Sequence, residues 1–145
     1  MPYIKIPVHY VWSTKYRRPI LTSSIRNHLF AHIRSHAKDK EIYIDRINGW
    51  DDHVHCLVML QTGQTIDEVI KLIKGESSRW FNVNKLNGGF RLEWQPGYFA
   101  VGACESKLDS LRNYIDNQEQ HHKKQTFEQE YNRLMKLHSF LEPRG

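Results

Sequence analysis

The chain has 145 residues, enough for one domain, with 26% charged and 39% hydrophobic residues, ordinary for a water-soluble globular protein. No apolar run approaches the ~20 residues that cross a bilayer, and the amino-terminal MPYIKIPVHYVW has no signal-peptide layout, so no membrane association and a cytoplasmic location are expected. The net charge of +5 favours an anionic partner, and the two cysteines, with no CxxC pair, exclude a disulfide framework or thiolate zinc cage. Cys56 and Cys104 both lie in apolar runs and are expected to be small core residues.

Residues 3–13 read as a strand, with Pro7 implying an edge position or an irregular start. A basic loop, Lys15–Pro19, follows. Thr22 or Ser23 is placed to cap a helix whose apolar positions Ile25, Leu29, Ile33 and Ala37 recur every four residues. Residues 41–50 alternate like a strand, and residues 53–61 form the next. Thr65 and Glu68 have capping-box spacing ahead of a helix over about 66–82. The segment 82–89 is a loop, and a fourth strand lies near 98–103. Ser106 and Asp109 start a helix of about 106–123 bearing Leu108, Leu111 and Ile115. A last helix, about 126–140, carries Phe127, Tyr131, Leu134 and Leu137.

Strand, helix, strand, strand, helix, strand is the α+β order of the ferredoxin-like, RRM-like split βαβ fold. It predicts a four-stranded antiparallel sheet with two helices on one face, a core of about residues 3–103, and further C-terminal helices at about 106–140, all in one domain. Side chains alternate across a strand, so Val54, Cys56 and Val58 should face the helices. His53, His55 and Leu57 should then face the open side, where a substrate or another subunit can sit.

Two imidazoles on one strand face suit a metal ion, and Asp51 and Asp52 beside them are placed to orient the rings. Tyr114 and Gln118 are four apart, so on a helix the phenol and the amide look in one direction. His121, one turn further, extends that polar edge toward a phosphate or the metal. A site of two imidazoles and an amide oxygen, with a phenol beside it, suits nucleophilic attack on a phosphodiester. The row His28, His32 and His36 reads instead as a solvated helix face. Basic groups interleaved with aromatics suit single-stranded nucleic acid, and Lys15, Arg17, Arg18, Lys71, Lys74, Arg79 and Lys123 are the candidate backbone contacts. Trp50, Trp80 and Trp94 are expected mainly to pack in the core.

Other chemistries lack their residues. A histidine-triad hydrolase needs a third histidine where Leu57 stands, and neither a phosphate-binding Gly-rich loop nor a Gly-x-Ser-x-Gly elbow occurs. The residues alone still leave three readings. One is metal-assisted phosphodiester chemistry, and another is an RRM-like sheet that holds single strands without reaction. The third is a small protein in which His53, His55 and His121 hold zinc for stability.

The segments HYVWSTKYRRPIL, WDDHVHCLVML, IKLIKGESSRW, WQPGYFAVGACES and YIDNQEQHHKKQTFEQEY resemble, in this order, the single-tyrosine HUH transposases. These comprise bacterial insertion-sequence TnpA-like enzymes and the REP-associated tyrosine transposases. The resemblance covers about residues 3–131, and the His-hydrophobe-His pair is His53, Val54 and His55. It implies that His53, His55 and Gln118 hold a divalent ion, Mg²⁺ or Mn²⁺, with Tyr114 as the nucleophile. It further implies cleavage and rejoining of single-stranded DNA near hairpins through a 5′-phosphotyrosine link, by a homodimer in which the tyrosine can act in trans. The positions three and four after Tyr114 hold Asn117 and Gln118 rather than a second tyrosine, so each site carries one covalent strand. A replication-initiator-type HUH nickase shares this chemistry and is the nearest alternative.

Overall fold

The computed structural model describes residues 2–86 and 88–140, so Asn87 of the expected 82–89 loop lies outside the described residues. Among them, four strands, β1 (Ile6–Ser13), β2 (Tyr43–Gly49), β3 (His53–Leu60) and β4 (Phe99–Gly102), form one sheet in the order β2-β3-β1-β4, every pair antiparallel. The helices are α1 (Ser23–Asp39), α2 (Ile66–Val83), α3 (Leu108–Asp116), α4 (Gln118–His122) and α5 (Phe127–His138). This is the α+β ferredoxin-like arrangement the element order predicts. Pro7 is not at an edge, since β1 is central, but it lies near the strand start, opposite Met59.

Facing pairs set the two sides of the sheet. Val54 opposite Trp12, Cys56 opposite Tyr10 and Val58 opposite Val8 point to α1 and α2, where Leu29, Ile33, Ala37, Ile70, Ile73 and Phe81 complete the main core. Thr65 caps α2 by accepting from the Glu68 amide at 3.1 Å.

The other face is not open. Val11 and Phe99 pack with Phe127 and Leu134 of α5, and Leu57 packs with Leu108 and Ile115 of α3. The C-terminal helices cover this face because Val11, Leu57 and Phe99 would otherwise leave apolar area in water. The two central strands are therefore buried on both sides, and His53 and His55 have no exposed surface.

Particular side chains fix α3 in place. The register shift in β2 between Ile44 and Arg46 leaves Asp45 as the extra residue, and Asp45 and Arg46 both reach α3. Asp45 accepts from Arg112 at 2.7 and 3.1 Å, and Arg46 donates to Asp116 at 3.4 Å. Asn48, opposite His55, donates to the carbonyls of Ile115 and Asp116 at 2.9 and 3.2 Å. The single helix expected over 106–123 is thus two. Asn48 takes carbonyls at the end of α3, and the Asn117 side chain bonds back to the Asn113 carbonyl at 2.9 Å, competing with helix continuation.

Three smaller expectations also change. Cys104 is exposed and lies against Ser106, while Cys56 is buried as expected. His32 and His36 are not simply solvated: His32 stacks on Trp80 at 4.0 Å and bonds Glu76 at 2.7 Å, and His36 lies 3.8 Å from the same carboxylate. Leu137 is exposed, because the inward stripe of α5 is Phe127, Glu130 and Leu134.

Candidate active site and metal centre

β3 carries His53 and His55 at positions two apart, so both rings enter the space between the sheet and the C-terminal helices. Gly49, paired with Val54, allows the turn into this strand: a Cβ there would sit 2.2 Å from the His53 carbonyl oxygen. From the opposite side α4 supplies Gln118 and His122, and α5 supplies Glu130. Gln118 and Glu130 are as completely buried as the two histidines.

These groups converge on one carboxylate. Glu130 Oε1 lies 3.1 Å from Nε2 of each of His53, His55 and His122. Its Oε2 accepts from the Tyr114 hydroxyl and, at 3.2 Å, from the Gln118 amide nitrogen. The Gln118 amide oxygen in turn faces His53 Nε2 at 3.3 Å. Despite the break at Asn117, the phenol and the amide reach the same point, as their spacing predicts.

The rings are held from behind. Asp52 Oδ1 lies 2.8 Å from His53 Nδ1, the orienting contact expected of it, and Phe127 stacks on the His53 ring at 4.1 Å. Asp51 does not join in, because it accepts instead from the buried Arg26 at 2.7 Å. Arg26 also donates to Glu119 at 3.1 Å, tying α1 to α4. His55 Nδ1 meets His9 Nε2 from β1 at 2.9 Å, with the two rings stacked.

Electrostatics divide the cluster. Burial lowers the His55 pKa to about 4, with only partial compensation from Glu130. Burial, then repulsion from His55, holds His9 well below the ordinary histidine value. For His53 burial acts in the same direction, but its bonds to Asp52 and Glu130 outweigh it and raise the pKa. Burial alone would raise Glu130, yet hydrogen bonds from His122, His53 and His55 drive it far below the usual carboxylate range. Burial and then the Glu130 charge raise Tyr114, keeping its hydroxyl protonated.

Of the expected site residues, His53, His55, Tyr114, Gln118 and Asp52 come together. His121 does not reach the histidine pair; it packs edge-on to Tyr114 at 4.8 Å and faces Arg133 at 3.3 Å, while its neighbour His122 points inward. Arg17 lies over Phe127 at 5.2 Å, and Arg18 lies over Tyr16 in the same loop. Lys15 bonds Glu93 at 3.2 Å. Lys71, Lys74 and Arg79 are on α2, across the sheet from the histidines. Lys71 pairs with Asp67 at 2.8 Å, and Lys74 donates to the carbonyls of Gln95 and Gly97. Lys123 is exposed at the end of α4.

Glu130, His122, His9 and Arg133 were missed. Glu130 had a readable signal, a carboxylate three residues after Phe127 and four before Leu134, inside an apolar stripe. His122 differs from His121 only by the helical phase that the break at Asn117 sets.

Residues 3–118 match the family described as IS200-like transposases. The chain belongs to that family. It is 28% identical over 120 residues to the ISDra2 transposase TnpA of Deinococcus radiodurans, covering 79% of this chain and 84% of that one. A solved structure described as a candidate transposase of Deinococcus radiodurans superposes with a TM-score of 0.63 at 25% identity, covering 81% of this chain and 93% of that chain. A REP-associated tyrosine transposase, solved bound to a REP hairpin, has the same fold at a TM-score of 0.62 and 19% identity, covering 84% of this chain and 72% of that one. Tyr114 and Gln118 fall inside the matched segment of this IS200-like transposase, whereas His122, Glu130 and Arg133 follow it. No helix among the described residues is long and apolar enough to cross a membrane.

Proposed function

We propose that this IS200-like transposase cleaves and rejoins single-stranded DNA beside hairpins, with Tyr114 as nucleophile and a divalent ion, Mg²⁺ or Mn²⁺, as cofactor. The observation that carries the reading is the meeting of the Tyr114 hydroxyl, the Gln118 amide and both HUH imidazoles at one buried point. The residues fit an ion. The converging donors are two imidazole nitrogens and side-chain oxygens, a set that suits first-row divalent metals and tolerates a hard one, and one ligand atom each from His53, His55 and Glu130 lie within 4.8 Å of one another. In this reading His53, His55 and Gln118 hold the ion, and when bound it supplies Lewis-acid polarisation of the phosphate oxygens.

The protein's own groups do the rest. Tyr114 loses its proton, its oxygen forms a bond to phosphorus, and the bond from phosphorus to the 3′-oxygen breaks. The 3′-oxygen takes up a proton, so the exchange is neutral overall. The phosphotyrosine ester conserves the bond, so a second 3′-hydroxyl can reverse the step and join strands without a nucleotide cofactor. Fixed placement of the phenol supplies the orientation such a displacement needs. Lys15, Arg17, Arg18, Lys71, Lys74, Arg79 and Lys123 are the proposed contacts to the DNA backbone. One tyrosine per site holds one strand, so exchange of two ends calls for a homodimer. In that homodimer the tyrosine helix of one protomer can complete the partner's site.

The test is a denaturing gel of protein incubated with a labelled hairpin-bearing oligonucleotide and Mg²⁺ or Mn²⁺. Wild type should give a covalent protein–DNA band that Tyr114→Phe lacks while still binding the oligonucleotide. Equal binding with no band from wild type would leave a non-catalytic binding module.

A further inference from the structure

Glu130 is an acid with no exposed surface, carried on α5 beyond the segment that matches the family. A carboxylate buried among Phe127, Leu134 and the sheet is costly unless something repays its desolvation. A carboxylate offers about four acceptor sites to partners. Glu130 has five partners: three imidazole nitrogens on Oε1, with the Tyr114 hydroxyl and the Gln118 amide on Oε2. Two of the three imidazoles belong to the HUH pair, and no lysine or arginine pairs with it among the described residues. The carboxylate thus faces the proposed ion position with one oxygen and the proposed nucleophile with the other.

We infer that Glu130 is a fourth protein ligand of the divalent cation, binding through Oε1, and that its Oε2 holds the Tyr114 hydroxyl beside that cation. The inference rests on the metal-assisted reading above and adds to it an anionic ligand from a different helix. A carboxylate joining two imidazoles and an amide oxygen makes the site harder and more negative, which favours Mn²⁺ and Mg²⁺ over softer ions. It also gives α5 a role in the chemistry besides covering the sheet: the helix brings cation and phenol to the two oxygens of one rigid group. His122 bonds the same carboxylate oxygen that faces the histidine pair.

The experiment titrates Mn²⁺ alone into metal-stripped protein, with free Mn²⁺ read by electron paramagnetic resonance. His55→Ala should abolish binding, and Glu130→Gln, which keeps the shape but removes the charge, should weaken it by about 10–100-fold. Glu130→Gln binding as tightly as wild type, or more tightly as expected if the carboxylate merely plugs the site, would overturn the inference while leaving the His53–His55 site intact. Failure of wild type to bind Mn²⁺ would overturn the metal reading as well. Circular dichroism establishes that each variant is folded. If Glu130→Gln is not, Glu130→Asp replaces it, keeping the charge and withdrawing the oxygens by one methylene. Weakening of about tenfold then supports the assignment, and unchanged affinity overturns it.

Discussion

Arg133 is the residue whose position speaks most directly to reactivity. Its Nη2 donates to the Tyr114 hydroxyl at 3.3 Å, and its guanidinium lies 5.8 Å from the tyrosine ring. Burial and Glu130 raise the Tyr114 pKa, and Arg133 acts against them. A free phenol with a pKa near ~10 is about 0.1% ionised at neutral pH, and Tyr114 starts from less than that. In the proposed reaction a fixed cation at the hydroxyl would stabilise the phenolate as it forms and remain available to the phosphate. Arg133→Ala should therefore slow covalent adduct formation by about 10–100-fold while leaving Mn²⁺ affinity within about twofold. Single-turnover adduct kinetics beside a Mn²⁺ titration would check both halves. Equal rates for variant and wild type would remove Arg133 from the chemistry.

At the scale of elements, α5 is the piece on which the site depends, and its start is well defined. Thr126 accepts from the Gln129 amide at 3.2 Å while Gln129 returns a bond to the Thr126 amide at 2.9 Å. Thr126→Ala should cost about 1 kcal/mol and lower the melting temperature by about 3 °C, measurable by calorimetry. The strands and the first two helices were legible in the sequence because the short apolar run over 53–60 and the four-residue recurrence from Leu29 to Ala37 mark strand and helix locally. The His53–His55 pair and the Tyr114–Gln118 spacing were legible for the same reason: each is a local periodicity. What the sequence hid was tertiary. The break at Asn117 depends on Asn48, 69 positions away, and it decides that His122 rather than His121 turns inward. The role of Glu130 depends on α5 folding back over the sheet, which no spacing near residue 130 specifies.

For the molecule as a whole, the charge of +5 is distributed unevenly with respect to the site. Arg17 borders it and Lys123 ends α4, while Lys71 and Lys74 are committed to partners across the sheet. Replacing Arg17 by alanine should reduce the salt dependence of hairpin-oligonucleotide affinity, lowering the slope of log K against log salt by about 0.7–0.9, whereas Lys74→Ala, whose amine is already held by the Gln95 and Gly97 carbonyls, should lower it by less. Fluorescence anisotropy between 50 and 200 mM salt (roughly the range over which such slopes are read) would separate the two. The helix that covers the second sheet face has a practical corollary as well. Trimming the gene to residues 3–118, the segment that matches the family, would keep His53, His55 and Tyr114, yet bare Val11 and Phe99 to water. A fragment cut there would carry the recognisable signature of the family without the helix that closes over its histidines.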